Sequence, residues 1–189
     1  MKRLIWLFAA IVILCASNAR AQEVPAWQFS GGYSYLDSNL NPSSNTGAHI
    51  HLNGIGASIT ENMNSWFGGR IEFNGYFGNE TVPISGALTT RTVTAETITY
   101  GPVFSYRRYS RITPFAHVQL GAIHGGVYYQ DISAGAYKFA MAPGAGLDLN
   151  LNRATTIRVD GEYLMTRFLD QWQYNAVASV GIVLRFGHR

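Results

Sequence analysis

The sequence predicts an all-β protein, an eight-stranded antiparallel up-and-down transmembrane β-barrel preceded by a cleavable signal peptide. Three observations predict it. Apolar or glycine residues alternate with polar ones, as in Ile157, Val159, Gly161, Tyr163 and Met165 against Arg158, Asp160, Glu162 and Leu164, which makes a strand with two unlike faces. Charged residues make up 13% of the chain, against about 25% in ordinary soluble domains. Yet beyond residue 21 no apolar run approaches the roughly 20 residues of a spanning helix. A membrane barrel satisfies all three, because its apolar positions are interleaved with polar ones.

The first element is the leader. Lys2 and Arg3 precede an apolar run from Leu4 to Cys15, and Ala19-Arg20-Ala21 closes the segment with the small-x-small pattern of a signal-peptidase site. Cleavage is expected after Ala21, leaving a barrel domain over 22–189. The twelve residues from Leu4 to Cys15 are too few for a retained anchor. The single cysteine, Cys15, follows Leu14 rather than a small residue, which argues against lipidation, and its removal leaves a mature chain without a thiol. Loss of Lys2, Arg3 and Arg20 also leaves eleven basic and eleven acidic residues, so the mature protein is formally neutral. The clustered positive charge that nucleic-acid binding needs is missing.

Eight strands follow, over 27–36, 48–60, 66–77, 93–106, 112–127, 137–150, 155–166 and 174–186. The polar connections between them alternate in length: 37–47, 61–65, 78–92, 107–111, 128–136, 151–154 and 167–173. Long, short, long, short is the rhythm of an outer-membrane barrel with tight periplasmic turns and larger outer loops, and it predicts both chain ends on the periplasmic side.

Residue size decides which face points inward. In the last strand Ala178, Val180, Ile182, Leu184 and Phe186 share one face, and in the third Phe67, Ile71, Phe73 and Phe77 do so. The opposite face of the third strand carries Trp66, Gly68, Arg70, Glu72 and Asn74, and Gly54, Gly56, Ser58, Gly101, Gly144, Gly146 and Gly181 recur on that second face elsewhere. A narrow eight-stranded lumen needs such small residues beside its long ones. The lumen is therefore expected to hold Arg70, Lys138, Arg158 and Arg185 with Glu72, Asp148, Asp160 and Glu162, four of each sign, paired across the interior. Facing lipid, a basic residue near the midplane would cost roughly 2–4 kcal/mol. These residues are read as packing and register groups rather than catalytic ones. Aromatic residues gather at the strand ends, Trp27, Trp66, Tyr106 and Phe186 towards one rim and Tyr35, Phe77, Tyr128 and Tyr174 towards the other, where rings favour the headgroup zone.

The search for chemistry finds little. His49 and His51 share a face, but the sequence offers no third metal ligand, and they are read as solvated rim residues. His117 and His124 are seven apart and fall on opposite faces. Gly54-Ile55-Gly56 and Gly144-Ala145-Gly146 do not continue into a phosphate-binding fingerprint. Glu80, Asp131 and Asp170 are too scattered for a calcium site. No catalytic residue, metal or cofactor is assigned.

Several segments together resemble the small outer-membrane β-barrel proteins related to the transmembrane domain of OmpA. They are Phe29-Ser30-Gly31-Gly32-Tyr33-Ser34-Tyr35, Tyr100-Gly101-Pro102-Val103-Phe104-Ser105-Tyr106, Thr113-Pro114-Phe115-Ala116-His117, Gly144-Ala145-Gly146-Leu147-Asp148 and Ser179-Val180-Gly181-Ile182-Val183-Leu184-Arg185-Phe186. The resemblance covers essentially the whole mature chain. It implies that Ser179, Gly181, Leu184 and Phe186 form the C-terminal signal read by the barrel-assembly machinery, although Gly187-His188-Arg189 follow the aromatic residue that relatives often place last. It also implies outer-membrane lipid and lipopolysaccharide as surroundings, and a ligand or partner at the outer loops. Barrels of this size include a lipid A deacylase, whose pattern places a serine two residues after a histidine; here His117 is followed by Val118 and Gln119. The leading expectation is a noncatalytic structural or surface-interaction barrel. Its rivals are a narrow pore for small solutes, a lipid-acting enzyme and a soluble periplasmic binding barrel.

Overall fold

A computed structural model describes residues 24–38, 50–84, 87–129, 132–168 and 171–188. The leader, the cleavage site, His49, Asp131, Asp170 and most of the first connection lie outside the described residues. The strands are β1 (Trp27–Ser38), β2 (Ile50–Asn62), β3 (Phe67–Ile84), β4 (Ala87–Ser105), β5 (Ile112–Tyr129), β6 (Ile132–Asn150), β7 (Thr155–Phe168) and β8 (Gln171–Phe186). Each pairs antiparallel with the next, and β8 closes on β1 from Trp27↔Phe186 to Asp37↔Ala176. Closure satisfies the backbone groups that an open sheet edge would leave bare in hydrocarbon.

All eight expected strands are present, and they differ from expectation mainly in length. β3 and β5 run 18 residues and β4 and β6 run 19, where about 9–11 suffice to cross the hydrocarbon core. Most of the connections expected over 78–92 and 128–136 are continued ladder, with pairs such as Asn79↔Thr92, Thr81↔Thr90 and Tyr128↔Ser133. Thr81, Thr89, Thr90, Thr92 and Thr94 supply β-branched side chains there. Polarity marked the segment as a loop, while its strand propensity extended the hairpin. The three short turns fall at 63–66, 106–111 and 151–154, at the end that also carries Ala26 and Gly187. Asn64 Oδ1 accepts from the amides of Trp66 and Phe67 at 2.9 and 2.8 Å, and Asn152 Oδ1 accepts from Ala154 and Thr155 at 2.8 and 2.7 Å. These side-chain turns replace ladder bonds at the rim.

The predicted inside-out arrangement holds along β8, where Ile182 is 58% exposed and its neighbour Val183 is 0%. Tyr33, Ile55, Phe73, Ile98, Leu120, Phe139 and Val180 likewise stand outward. Trp66 departs from the expectation: it belongs to the turn and points outward, stacked on Phe104 at 6.1 Å, because the alternation begins only at Phe67.

The interior has two storeys, which the alternation alone did not distinguish. Towards the longer connections it is apolar, built by Leu36, Leu52, Tyr76, Ile123, Leu164 and Val177 with smaller neighbours. Towards the short turns it is charged. Leu36 pairs with Leu52 and Val177 on the flanking strands, so three strands meet in a single layer of side chains. Leu52→Ala should cost about 2–5 kcal/mol through lost burial and a residual cavity, read as a lower urea midpoint for unfolding from detergent micelles, while Ile55→Ala on the lipid face of the same strand should leave the midpoint nearly unchanged.

Candidate functional site

The charged storey is the most structured polar site among the described residues, and its centre is a ring. Two guanidinium groups lie over the ring of Phe115 on β5, with Arg70 Cζ of β3 at 4.9 Å and Arg158 Cζ of β7 at 4.7 Å from the ring centroid. The negative face of an aromatic ring attracts a cation. Two like charges can thus share a narrow interior, provided carboxylates neutralise both.

They do so from three strands. Arg158 donates from Nε to Asp148 Oδ1 at 2.7 Å and from Nη2 to Asp148 Oδ2 at 2.8 Å, a two-pronged fork, and Nη2 also donates to Gln28 Oε1 at 3.0 Å. Arg70 donates from Nη1 to Asp160 Oδ2 at 3.1 Å, lies 3.7 Å from Glu72 Oε2, and donates from Nε to Thr60 Oγ1 at 3.3 Å. Asn74 Nδ2 donates to Glu72 Oε1 at 3.0 Å. His117 sits 3.3 Å from Asp160 Oδ1 through Nε2 and stacks on Phe115 at 6.2 Å. Arg70 is 1% exposed and His117 2%, so these pairs act in a low-dielectric interior.

Space for this cluster comes from glycines. A Cβ on Gly144 would lie 2.5 Å from His117 Nε2, and one on Gly146 would lie 2.5 Å from Phe115 Cζ. Those close approaches explain the Gly144-Ala145-Gly146 pair that superficially resembled a phosphate loop.

Arg107 enters from the β4–β5 turn and closes the storey at the short-turn end. It donates to the Ser65 carbonyl at 2.8 Å and to Asn62 Oδ1 at 2.7 Å. Burial, reinforced by the nearby Arg185 charge, pushes its guanidinium down to about 10, which leaves it charged at neutral pH. Arg185 donates to Asn150 Oδ1 at the same mouth.

Of the eight lumen residues expected from sequence, Arg70, Glu72, Asp148, Arg158 and Asp160 meet around Phe115, and Arg185 lies at the mouth. Glu162 faces the lumen opposite Gly144 and Val177, with no hydrogen bond or ion pair among the described residues. Lys138 is not brought to the cluster. It pairs with Ile123 on the ladder, ten residues along β6 from Asp148, roughly 33 Å at about 3.3 Å per residue. Face parity was the right signal for its inward position, but parity carries no height. Arg107, which a turn assignment concealed, contributes the fourth cation in its place. Phe115, His117, Gln28 and Gln119 were also missed as lumen residues, although their alternation with Pro114, Ala116 and Val118 could have found three of them.

His51 pairs with Asp37 at 3.4 Å and stacks on Tyr35 at 5.7 Å, out on the barrel wall. Among the described residues no group of three or more His, Cys, Asp or Glu is arranged to hold a metal ion. In the assembly motif Ser179 and Gly181 face inward while Leu184 and Phe186 face outward, with Phe186 edge-on to Phe29 at 5.6 Å. Gly187 then takes a positive φ of 68°, which lets the chain leave β8 beside Ala26.

Removing one partner of the buried fork strands the other. Asp148→Ala and Arg158→Met should each destabilise the barrel by about 3–5 kcal/mol, and Asp148→Leu combined with Arg158→Met should recover most of that loss. A urea double-mutant cycle in micelles measures the coupling, and additive effects would contradict a direct pair.

This geometry matches known proteins in fold. The crystal structure of Neisserial surface protein A aligns with a TM-score of 0.68 at 9% identity, covering 85% of this chain and 97% of that one. The outer membrane protein OprG of Pseudomonas aeruginosa aligns with a TM-score of 0.61 at 12% identity, covering 91% and 100%. Ail, the attachment invasion locus protein of Yersinia pestis, solved in complex with the heparin analogue sucrose octasulfate, aligns with a TM-score of 0.59 at 18% identity, covering 85% and 97%. No curated protein matches the chain in sequence. The family model described as outer membrane protein beta-barrel domain matches residues 6–186, and the chain belongs to that family of outer-membrane barrels.

Proposed function

We propose that this protein is a closed, nonconducting and noncatalytic outer-membrane barrel that acts through its surface. The observation that carries this reading is the double seal of its interior: a layer around Leu36, Leu52 and Leu164, each at most 1% exposed, and beneath it the charged storey around Phe115. An apolar constriction resists wetting, and the arginines beneath it are held against Asp148, Asp160 and Glu72 rather than left to a passing ion. The leader is removed after Ala21, both ends of the mature chain lie in the periplasm, and the longer connections face outward to meet lipopolysaccharide and an extracellular ligand or partner. The barrel-assembly machinery reads Ser179, Gly181, Leu184 and Phe186.

One observation favours a second reading, a narrow path for small solutes. Ser30, Ser34, Ser58, Arg70, Glu72 and Asp160 line a polar cavity beside the wall of β1 and β8. Between that cavity and the outer end stands the apolar layer, so a continuous path needs that layer to part.

Single-channel recording in planar bilayers separates the two. The intact barrel should give no reproducible conductance, whereas Leu52→Ser with Leu164→Ser, which wets the apolar layer, should give small discrete steps. Discrete steps from the unaltered barrel would establish the path and overturn the sealed reading.

A further inference from the structure

The three short turns share a composition that the interior does not explain. Residues 63–66, 106–111 and 151–154 hold four arginines and no carboxylate. Arg107 turns inward, as described above, but Arg108, Arg111 and Arg153 are exposed. Each turn also presents an apolar or aromatic side chain to its surroundings, Met63 at 49%, Tyr109 at 45% and Leu151 at 61% exposure. Around this end stand outward aromatic side chains, Phe186 on β8, Trp27 on β1 and Phe104 on β4, with Trp66 and Tyr106 in the turns themselves. Aromatic belts sit at headgroup depth, so the turn arginines stand at the level of the lipid phosphates. The described carboxylate nearest this rim on the ladder is Glu61, opposite Trp27, while Asp37 and Glu96 lie towards the other end of the barrel.

We propose that the short-turn rim is a binding surface for anionic phospholipid headgroups, with Arg108, Arg111 and Arg153 engaging the phosphates while Met63, Tyr109 and Leu151 enter the boundary between headgroups and acyl chains. Guanidinium groups bind phosphate through paired N–H donors, and basic residues near an anionic surface are drawn to it. Three of them on one ring of turns make the barrel select negatively charged lipids around that end. The inference rests on the periplasmic placement of the short turns, where the leaflet is phospholipid, but the rim itself is tested in detergent, where placement plays no part.

Native mass spectrometry of the full-length barrel, purified from the outer membrane and titrated with phosphatidylglycerol or phosphatidylethanolamine of identical acyl chains, reads the preference directly. The unaltered barrel should retain phosphatidylglycerol preferentially. The triple variant R108Q/R111Q/R153Q should lose that preference by about tenfold or more, and the triple lysine variant should keep most of it. Changing Arg91, Lys138 and Arg167 to Gln, three basic residues away from the short turns, should leave it intact. Because the altered side chains are exposed on turns, folded mobility on an unboiled gel should survive. If the triple variant fails to insert, the three single variants carry the test, each lowering the preference about two- to fivefold. Equal retention of both lipids by the unaltered barrel, an undiminished preference in the glutamine variants, or an equal loss in the control variant would overturn the proposal.

Discussion

The fork between Arg158 and Asp148, set against a Phe115 ring that Arg70 also approaches, is the arrangement on which the interior depends. An eight-stranded barrel has an interior only wide enough for side chains, and here several of those side chains are ions. Left unpaired, each would cost several kcal/mol in so buried a site. Pairing across β6 and β7, and between β3 and β7, therefore fixes which strands lie opposite each other as well as what fills the space. A one-residue slip of β7 against β6 would send Arg158, Asp160 and Glu162 into lipid and Ile157 and Val159 into the lumen.

The rest of the architecture follows from that constraint. Gly144 and Gly146 exist at the width that His117 and Phe115 leave them. The charged storey around Phe115 ends where Tyr76 and Leu164 begin an apolar one, and Lys138, opposite Ile123, stands apart from it. Arg107 and Asn62 close the other mouth from the turns. The lipid face, free of these demands, can be composed almost wholly of apolar residues with aromatic side chains at both rims. The result is a wall whose chemistry changes sharply from one side to the other across a single backbone thickness, and again from one end to the other along the lumen.

Much of this was legible in the sequence. Alternation gave the eight strands, because period-two patterning is carried by one strand by itself, while the rhythm of the connections gave the up-and-down order and residue size gave the inward face. Height along the barrel was not legible, since it depends on the register between strands. Lys138 has the parity of a lumen residue but lies far along β6 from Asp148, and the apolar layer from Leu36 to Val177 is assembled from five or more strands that no local window connects. Arg107 was hidden for a different reason: a polar turn residue reads as solvated until its neighbours Asn62 and Ser65, at the connection between β2 and β3, are known. The threonine-rich hairpin of β3 and β4 was read as loop because its polarity outweighed its β-branched character.

The central claim is that alternate residues of one strand meet acyl chains and a sealed interior. Beyond Cys15 the sequence has no cysteine, so with Cys15 replaced single cysteines can be placed along β8 from Val177 to Phe186 and spin-labelled in liposomes. Accessibility to oxygen, which partitions into lipid, should peak at Val180, Ile182 and Leu184 and fall at Ser179, Gly181 and Val183, with a water-soluble nickel chelate reaching none of the six. Oxygen accessibility of the opposite phase, or chelate access to Val183, would contradict the account.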